Sequence, residues 1–68
     1  MATVMQSYKI VVHARRPGSR LVIADRPAGG RLYAVFDGDE RLTADEVTPT
    51  VAWRQAEFNL ANPHLAIL

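Results

Sequence analysis

The sequence predicts a small α+β domain: a three- to four-stranded antiparallel sheet (a β-meander) with one helix packed on one face, in the order βββα(β). Three segments alternate apolar and polar residues with the period of a strand, turn residues separate them, and a helix-start signal follows. The 68 residues, 1–68, make one small domain, which buries only about 60% of its unfolded surface. A partner or a second copy would therefore add stability.

The predicted strands lie in the first half of the chain. Pro17 and Gly18 separate the first two strands with the pattern of a type II turn, and the paired glycines of "RPAGGR" predict a hairpin between the second and third. An antiparallel meander follows. Alternation places these residues on one face of the three strands: Tyr8, Ile10, Val12 and Ala14, then Leu21 and Ile23, then Leu32, Ala34 and Phe36.

The predicted helix runs from Pro49 to Ala61. Thr48 is the expected N-cap, because proline is well tolerated at the first helical position, and Asn62-Pro63 ends the helix. The remaining "HLAIL" predicts a fourth strand or an apolar tail. At helical spacing one side carries Ala52, Trp53, Ala56 and Leu60, with Trp53 as the anchor of the helix, and the opposite side carries Val51 and Phe58. We expect the C-terminal tail to cover that second stripe; the alternative is a docking stripe.

The net charge of +1 conceals an asymmetry between the two halves of the chain. Residues 1–31 contain six cations and the single acid Asp25, whereas residues 32–68 contain six acids and only Arg41 and Arg54 as cations. We expect the two halves to attract each other.

The N-terminus has no basic segment before an apolar run, and no apolar stretch approaches the roughly 20 residues of a membrane span. A soluble, cytoplasmic protein with no membrane partner is expected.

No catalytic, cofactor-binding or metal-binding residues are predicted. His13 and His64 are far apart and lack a zinc-site spacing, and the sequence has no cysteine. Asp37, Asp39 and Glu40 could bind a hard cation, but they do not complete a calcium loop, and a solvated acidic turn is the simpler interpretation. We therefore expect a protein that is not an enzyme, with no small-molecule substrate.

The second face of the predicted sheet is the candidate binding surface. Pairing the strands outward from Pro17-Gly18 and from Ala28-Gly29 gives a band of valines and one tyrosine with basic residues at both ends. An apolar centre bordered by charge is typical of an interface. The predicted partner-binding residues are Lys9, Val11, Arg15, Arg16, Arg20, Val22, Arg26, Arg31, Tyr33 and Val35.

Three occupants of that face are consistent with the pattern. The favoured one is another protein or a second copy of the chain. The alternative class is nucleic acid, which would use the cations for phosphates and Tyr33 as its only stacking ring. The third occupant is the C-terminal strand of the chain itself, closing a small barrel.

The segment "GGRLYAVFDGDE" followed by a helix resembles part of the HicB-type antitoxins. In that family a glycine-paired hairpin leads to a strand with aromatic and acidic residues and then to a helix; the proline-glycine-cysteine element that follows the strand there is absent here. The resemblance implies a module that occludes a partner's site. The expected function is a small non-enzymatic protein-binding module, such as a phage or mobile-element inhibitor or an antitoxin-like protein.

Overall fold

A computed structural model describes residues 3–65 and contains two helices and a three-stranded antiparallel sheet with the order β1-β2-β3. The α+β class and the antiparallel sheet are confirmed, but the order is αβββα and there are two helices. The elements are α1 (Val4–Arg15), β1 (Ser19–Asp25), β2 (Arg31–Asp37), β3 (Glu40–Arg41) and α2 (Pro49–Ala61), followed by a 3-10 turn (Pro63–Leu65).

The predicted first strand is wrong, because residues 4–15 form helix α1. A capping box starts it: the Thr3 hydroxyl accepts from the Gln6 N–H at 3.1 Å, and the Gln6 side chain accepts from the Thr3 N–H at 2.9 Å. The β-branched run at residues 10–12 locally favours a strand. Burial of Val12, with Met5 and Tyr8 packed against the same core, selects the helix instead.

Pro17 and Gly18 form the predicted turn, and the Ser19 N–H donates to the Arg16 carbonyl at 2.9 Å. This turn connects α1 to β1 rather than two strands. Gly18 does not have a positive φ, so the prediction of a type II turn is wrong.

The hairpin between β1 and β2 is confirmed, but its predicted register is wrong by one residue. The connection has five residues, Arg26 to Gly30; Gly29 and Gly30 adopt φ values of 94° and 85°, and the Arg26 N–H donates to the Gly30 carbonyl at 3.0 Å. Leu21 therefore pairs with Val35 instead of Phe36. Since side chains alternate along a strand, this shift exchanges the two faces of β2.

The chain beyond β3 continues along the free edge of β2. The Leu42 N–H donates to the Val35 carbonyl at 2.8 Å, and the Val35 N–H donates to the hydroxyl of Thr43 at 3.0 Å. Tyr33 and Glu46 then exchange two backbone hydrogen bonds of 2.8 and 2.7 Å. Thr43 is fully buried, and its hydroxyl takes the place of a backbone acceptor.

Helix α2 begins and ends at the predicted residues. The Thr48 hydroxyl accepts from the Val51 N–H at 3.1 Å, and Pro49 occupies the first helical position. A fourth strand is not confirmed: residues 63–65 form a 3-10 turn, and residues 66–68 of the predicted strand lie outside the described residues. Phe58 on the second stripe is 47% exposed.

One core cluster joins the two helices and the sheet. Trp53 is 2% exposed, as expected of an anchor, and the ring of His13 on α1 lies 5.5 Å from its ring. The strand residues in or against this core are Leu21, Tyr33 and Val35, and they define the inner face of the sheet. The buried residues of the core cluster are Val12, Val35, Leu42, Ala52, Trp53 and Ala56.

Within residues 3–65 neither helix has the length and apolar character needed to cross a bilayer.

We predict that Thr43→Val lowers the free energy of unfolding by about 1–3 kcal/mol, because the shape is kept while the buried Val35 N–H loses its acceptor. Urea unfolding followed by tryptophan fluorescence measures it. The control is Thr50→Val, the same change in the first turn of α2. Equal stability of the two variants would contradict the role of the Thr43 hydroxyl.

Candidate interaction surface

The face of the sheet opposite the core contains the strongest candidate surface. None of its described residues belongs to the core cluster, although Ala34 at its centre is only 3% exposed. Its centre is aliphatic, and one end is a row of three side chains that lie directly across the three strands, with Phe36 between two arginines. We call this the outer sheet face, formed by Arg20, Val22, Ala24, Leu32, Ala34, Phe36 and Arg41.

The two arginines of this row are fixed beside the ring of Phe36. The guanidinium carbon Cζ of Arg41 lies 4.9 Å from the ring centroid, and that of Arg20 lies 5.9 Å from it. Arg20 Nη1 donates to the Gly38 carbonyl at 2.9 Å, and Arg41 Nη1 donates to the Thr43 carbonyl at 3.1 Å. Each side chain is therefore held by a backbone acceptor and by the ring.

The two arginines differ in their net charge environment. Arg41 Nη1 also lies 3.2 Å from Asp45 Oδ1, so a carboxylate partly neutralises it. Arg20 forms no ion pair with any residue between 3 and 65. The outer sheet face consequently offers one uncompensated cation next to an apolar surface in which Val22, Leu32 and Phe36 are half-buried.

Arg16 has a structural role at the end of α1. Its Nη1 lies 3.0 Å from Asp37 Oδ2 and 2.9 Å from Glu40 Oε1, and its Nη2 lies 3.3 Å from Glu40 Oε2. The hydrogen bonds to Glu40 and then to Asp37 raise the pKa of the Arg16 side chain above its ordinary value. Two of the three acids considered for a cation site, Asp37 and Glu40, thus bind a guanidinium. This ion-pair cluster also joins the basic and acidic halves of the chain, as expected from the charge asymmetry.

Gly18 makes room for the Arg16 cluster. A Cβ atom at Gly18 would lie 2.7 Å from Asp37 Oδ1, closer than van der Waals contact permits. Any side chain there would displace the carboxylate that Arg16 binds. The glycine beside Pro17 thus allows the close approach of the Asp37 carboxylate, and its backbone angles do not demand glycine.

The structure does not bring the ten predicted binding residues onto one face. Lys9, Val11 and Arg15 lie on α1; the ammonium of Lys9 is 5.8 Å from the Trp53 ring, and Arg15 Nη1 donates to the Leu60 carbonyl at 3.4 Å. Of the predicted strand residues, only Arg20 and Val22 lie on the outer sheet face.

The remaining predicted residues have other environments. Val35 is fully buried and Tyr33 packs against the core, so the expectation that both lie on an open surface is wrong. Arg31 is 3.6 Å from Asp25 across the hairpin, and Arg26 begins the hairpin loop. The predicted list lacks Ala24 and Arg41 and, because of the register shift, also Leu32, Ala34 and Phe36. The five-residue spacing between Asp25 and Arg31 is the signal that would have found the last three.

Comparisons with known proteins supply no relative: no protein-family model matches the chain, and neither the curated proteins nor the solved structures include a match. The resemblance to the HicB-type antitoxins is therefore not supported by a family match. Fold and surface alone therefore define the class of protein, as a two-helix α+β domain whose sheet has an apolar face opposite the core cluster.

We predict that Arg16→Gln lowers the melting temperature, because Asp37 and Glu40 then face each other without a cation. The decrease should be largest at low salt, since salt screens the repulsion between these partly exposed carboxylates. Thermal denaturation at low and high ionic strength measures it. The control is Arg31→Gln, whose ion pair is 64% and 87% exposed and should contribute little. Equal effects of both substitutions would exclude a structural role for the Arg16 cluster.

Proposed function

We propose that the protein is a non-enzymatic module that binds another protein through the outer sheet face. The observation that carries the proposal is that the centre of this face is apolar although it lies on the side of the sheet opposite the core cluster. Val22, Leu32 and Phe36 are half-buried there, and Ala34 between them is buried. An apolar centre with polar groups at its border matches the anatomy of protein interfaces. Aromatic residues such as Phe36 and arginines such as Arg20 and Arg41 are enriched in protein interfaces. Arginine is also among the residues that contribute most to binding energy.

The chemistry of the face selects its partner. Every charged side chain of the outer sheet face is an arginine, and Arg20 pairs with no carboxylate among residues 3–65. We therefore expect a partner surface with an apolar centre and at least one carboxylate that reaches Arg20. Two copies of this face have only arginines as charged side chains, so a second copy of the chain supplies no carboxylate for Arg20.

Nucleic acid is the second candidate, and the environment of Phe36 disfavours it. Single-stranded nucleic acids stack their bases on open aromatic rings. The ring of Phe36 is flanked by two guanidinium groups, and Tyr33 packs against the core. Arg16 and Arg31 are engaged with carboxylates of the chain and add little positive potential.

A module of this size acts by covering what it binds. We propose that it occludes a partner's site, as an inhibitor or an antitoxin-like protein of a phage or mobile element would. In this mode of action affinity and shape alone produce the effect.

We predict that a synthetic helical peptide with an apolar stripe bordered by glutamates binds this face. In amide chemical-shift mapping, Val22, Leu32 and Phe36 should shift with saturation, and Arg20→Gln should weaken binding about tenfold because its charge faces the glutamates. Lys9→Gln is the matched control, since Lys9 lies on α1.

Two other probes decide between the candidate classes. The same peptide with lysines in place of glutamates should not bind. If mixed-sequence single-stranded RNA or DNA shifts the outer sheet face while the acidic peptide does not, the nucleic-acid function replaces the one proposed. Shifts confined to other surfaces would refute both.

A further inference from the structure

A second uncovered surface lies on the two helices. Val4, Val11 and Phe58 are 64%, 39% and 47% exposed. Tyr8 of α1 and Phe58 of α2 line one shallow groove, whose walls also include Arg54, Glu57, Ala61 and Asn62. Val4 and Val11 are four residues before and three residues after Tyr8, so they are neighbours of Tyr8 on the surface of α1. We call this the helix patch: Val4, Tyr8, Val11, Arg54, Glu57, Phe58 and Ala61.

The helix patch differs from the outer sheet face in its charge. It carries one cation and one carboxylate, Arg54 and Glu57, on adjacent turns of the same helix, and neither forms an ion pair with residues 3–65. Such a patch has no net charge and does not select an acidic or a basic partner. It is instead complementary to itself.

We propose that the helix patch binds a second copy of this chain about a twofold axis. In a twofold interface every contact occurs twice, so Arg54 facing the partner's Glu57 also places Glu57 against the partner's Arg54. The apolar side chains Val4, Val11 and Phe58 then pack at the centre, and two opposite-charge pairs border them. An interface of this kind adds burial that a chain of 68 residues lacks on its own.

Dimerisation through the helices leaves the sheet available. The core lies between the inner face of the sheet and the helices, so the outer sheet face and the helix patch do not share residues. The dimer would present two outer sheet faces at once, which raises the avidity for a partner with two binding sites. The dimer itself does not depend on the proposed function of the outer sheet face.

Charge swapping tests the proposal directly. Arg54→Glu leaves only carboxylates at the two positions, and Glu57→Arg leaves only cations. We expect each variant to raise the dimer dissociation constant about tenfold or more, because like charges then meet across the axis. An equimolar mixture of the two variants should restore association as a heterodimer, and so should the double variant R54E/E57R.

Sedimentation equilibrium over a range of concentrations provides the measurement, with amide spectra to verify that each variant is folded. Wild-type protein should approach twice the 7.5 kDa of one chain. Arg20→Glu is the matched control and should leave association unchanged, since Arg20 lies on the outer sheet face. A monomer at all concentrations overturns the proposal, and so does a dimer that the single charge changes do not weaken or that the mixture does not restore. None of these outcomes bears on peptide binding to the outer sheet face.

Discussion

Five residues between β1 and β2, Arg26 to Gly30, decide which side chains of β2 face the core. The two glycines at the end of this connection adopt positive φ angles, and the Arg26 N–H closes the loop on the Gly30 carbonyl. An odd number of loop residues places Val35 opposite Leu21 on the inner face and Phe36 opposite Arg20 on the outer one. The core and the candidate binding surface both follow from this register, because moving β2 by one residue would exchange them.

The arginines near the Pro17-Gly18 turn have different roles. Arg16 has a structural role, since it lies at the end of α1 and binds the two carboxylates of Asp37 and Glu40. Arg20 is held by a carbonyl and by the ring of Phe36 and keeps its charge uncompensated. Three arginines flank Pro17-Gly18: Arg15, Arg16 and Arg20. Arg15 donates to the Leu60 carbonyl, and the acids bound to Arg16 reduce the repulsion among the three cations.

The outer sheet face and the helix patch differ in the charges that border their apolar residues. The outer sheet face has arginines as its only charged side chains, and the proposed partner is acidic. The helix patch has one charge of each sign, and the proposed partner is a second copy of the chain. A small domain with these two proposed surfaces would assemble on one side and bind on the other, with the core cluster between them.

Local signals in the sequence determined much of the structure: the start and end of α2 from Thr48, Pro49 and Asn62, the hairpin from its paired glycines, the turn at Pro17, and the α+β class. These features depend on backbone preferences of a few neighbouring residues. Tertiary packing decided α1 against the local strand preference of Ile10, Val11 and Val12, because burial of Val12 with Tyr8 packed against the core selects the helix. The capping box of Thr3 and Gln6 is the local signal that starts it. Tertiary structure also decided the membership of the outer sheet face. The alternation of β2 was visible in the sequence, but a period of two specifies two faces without saying which is buried, and loop geometry and the helices settle that choice.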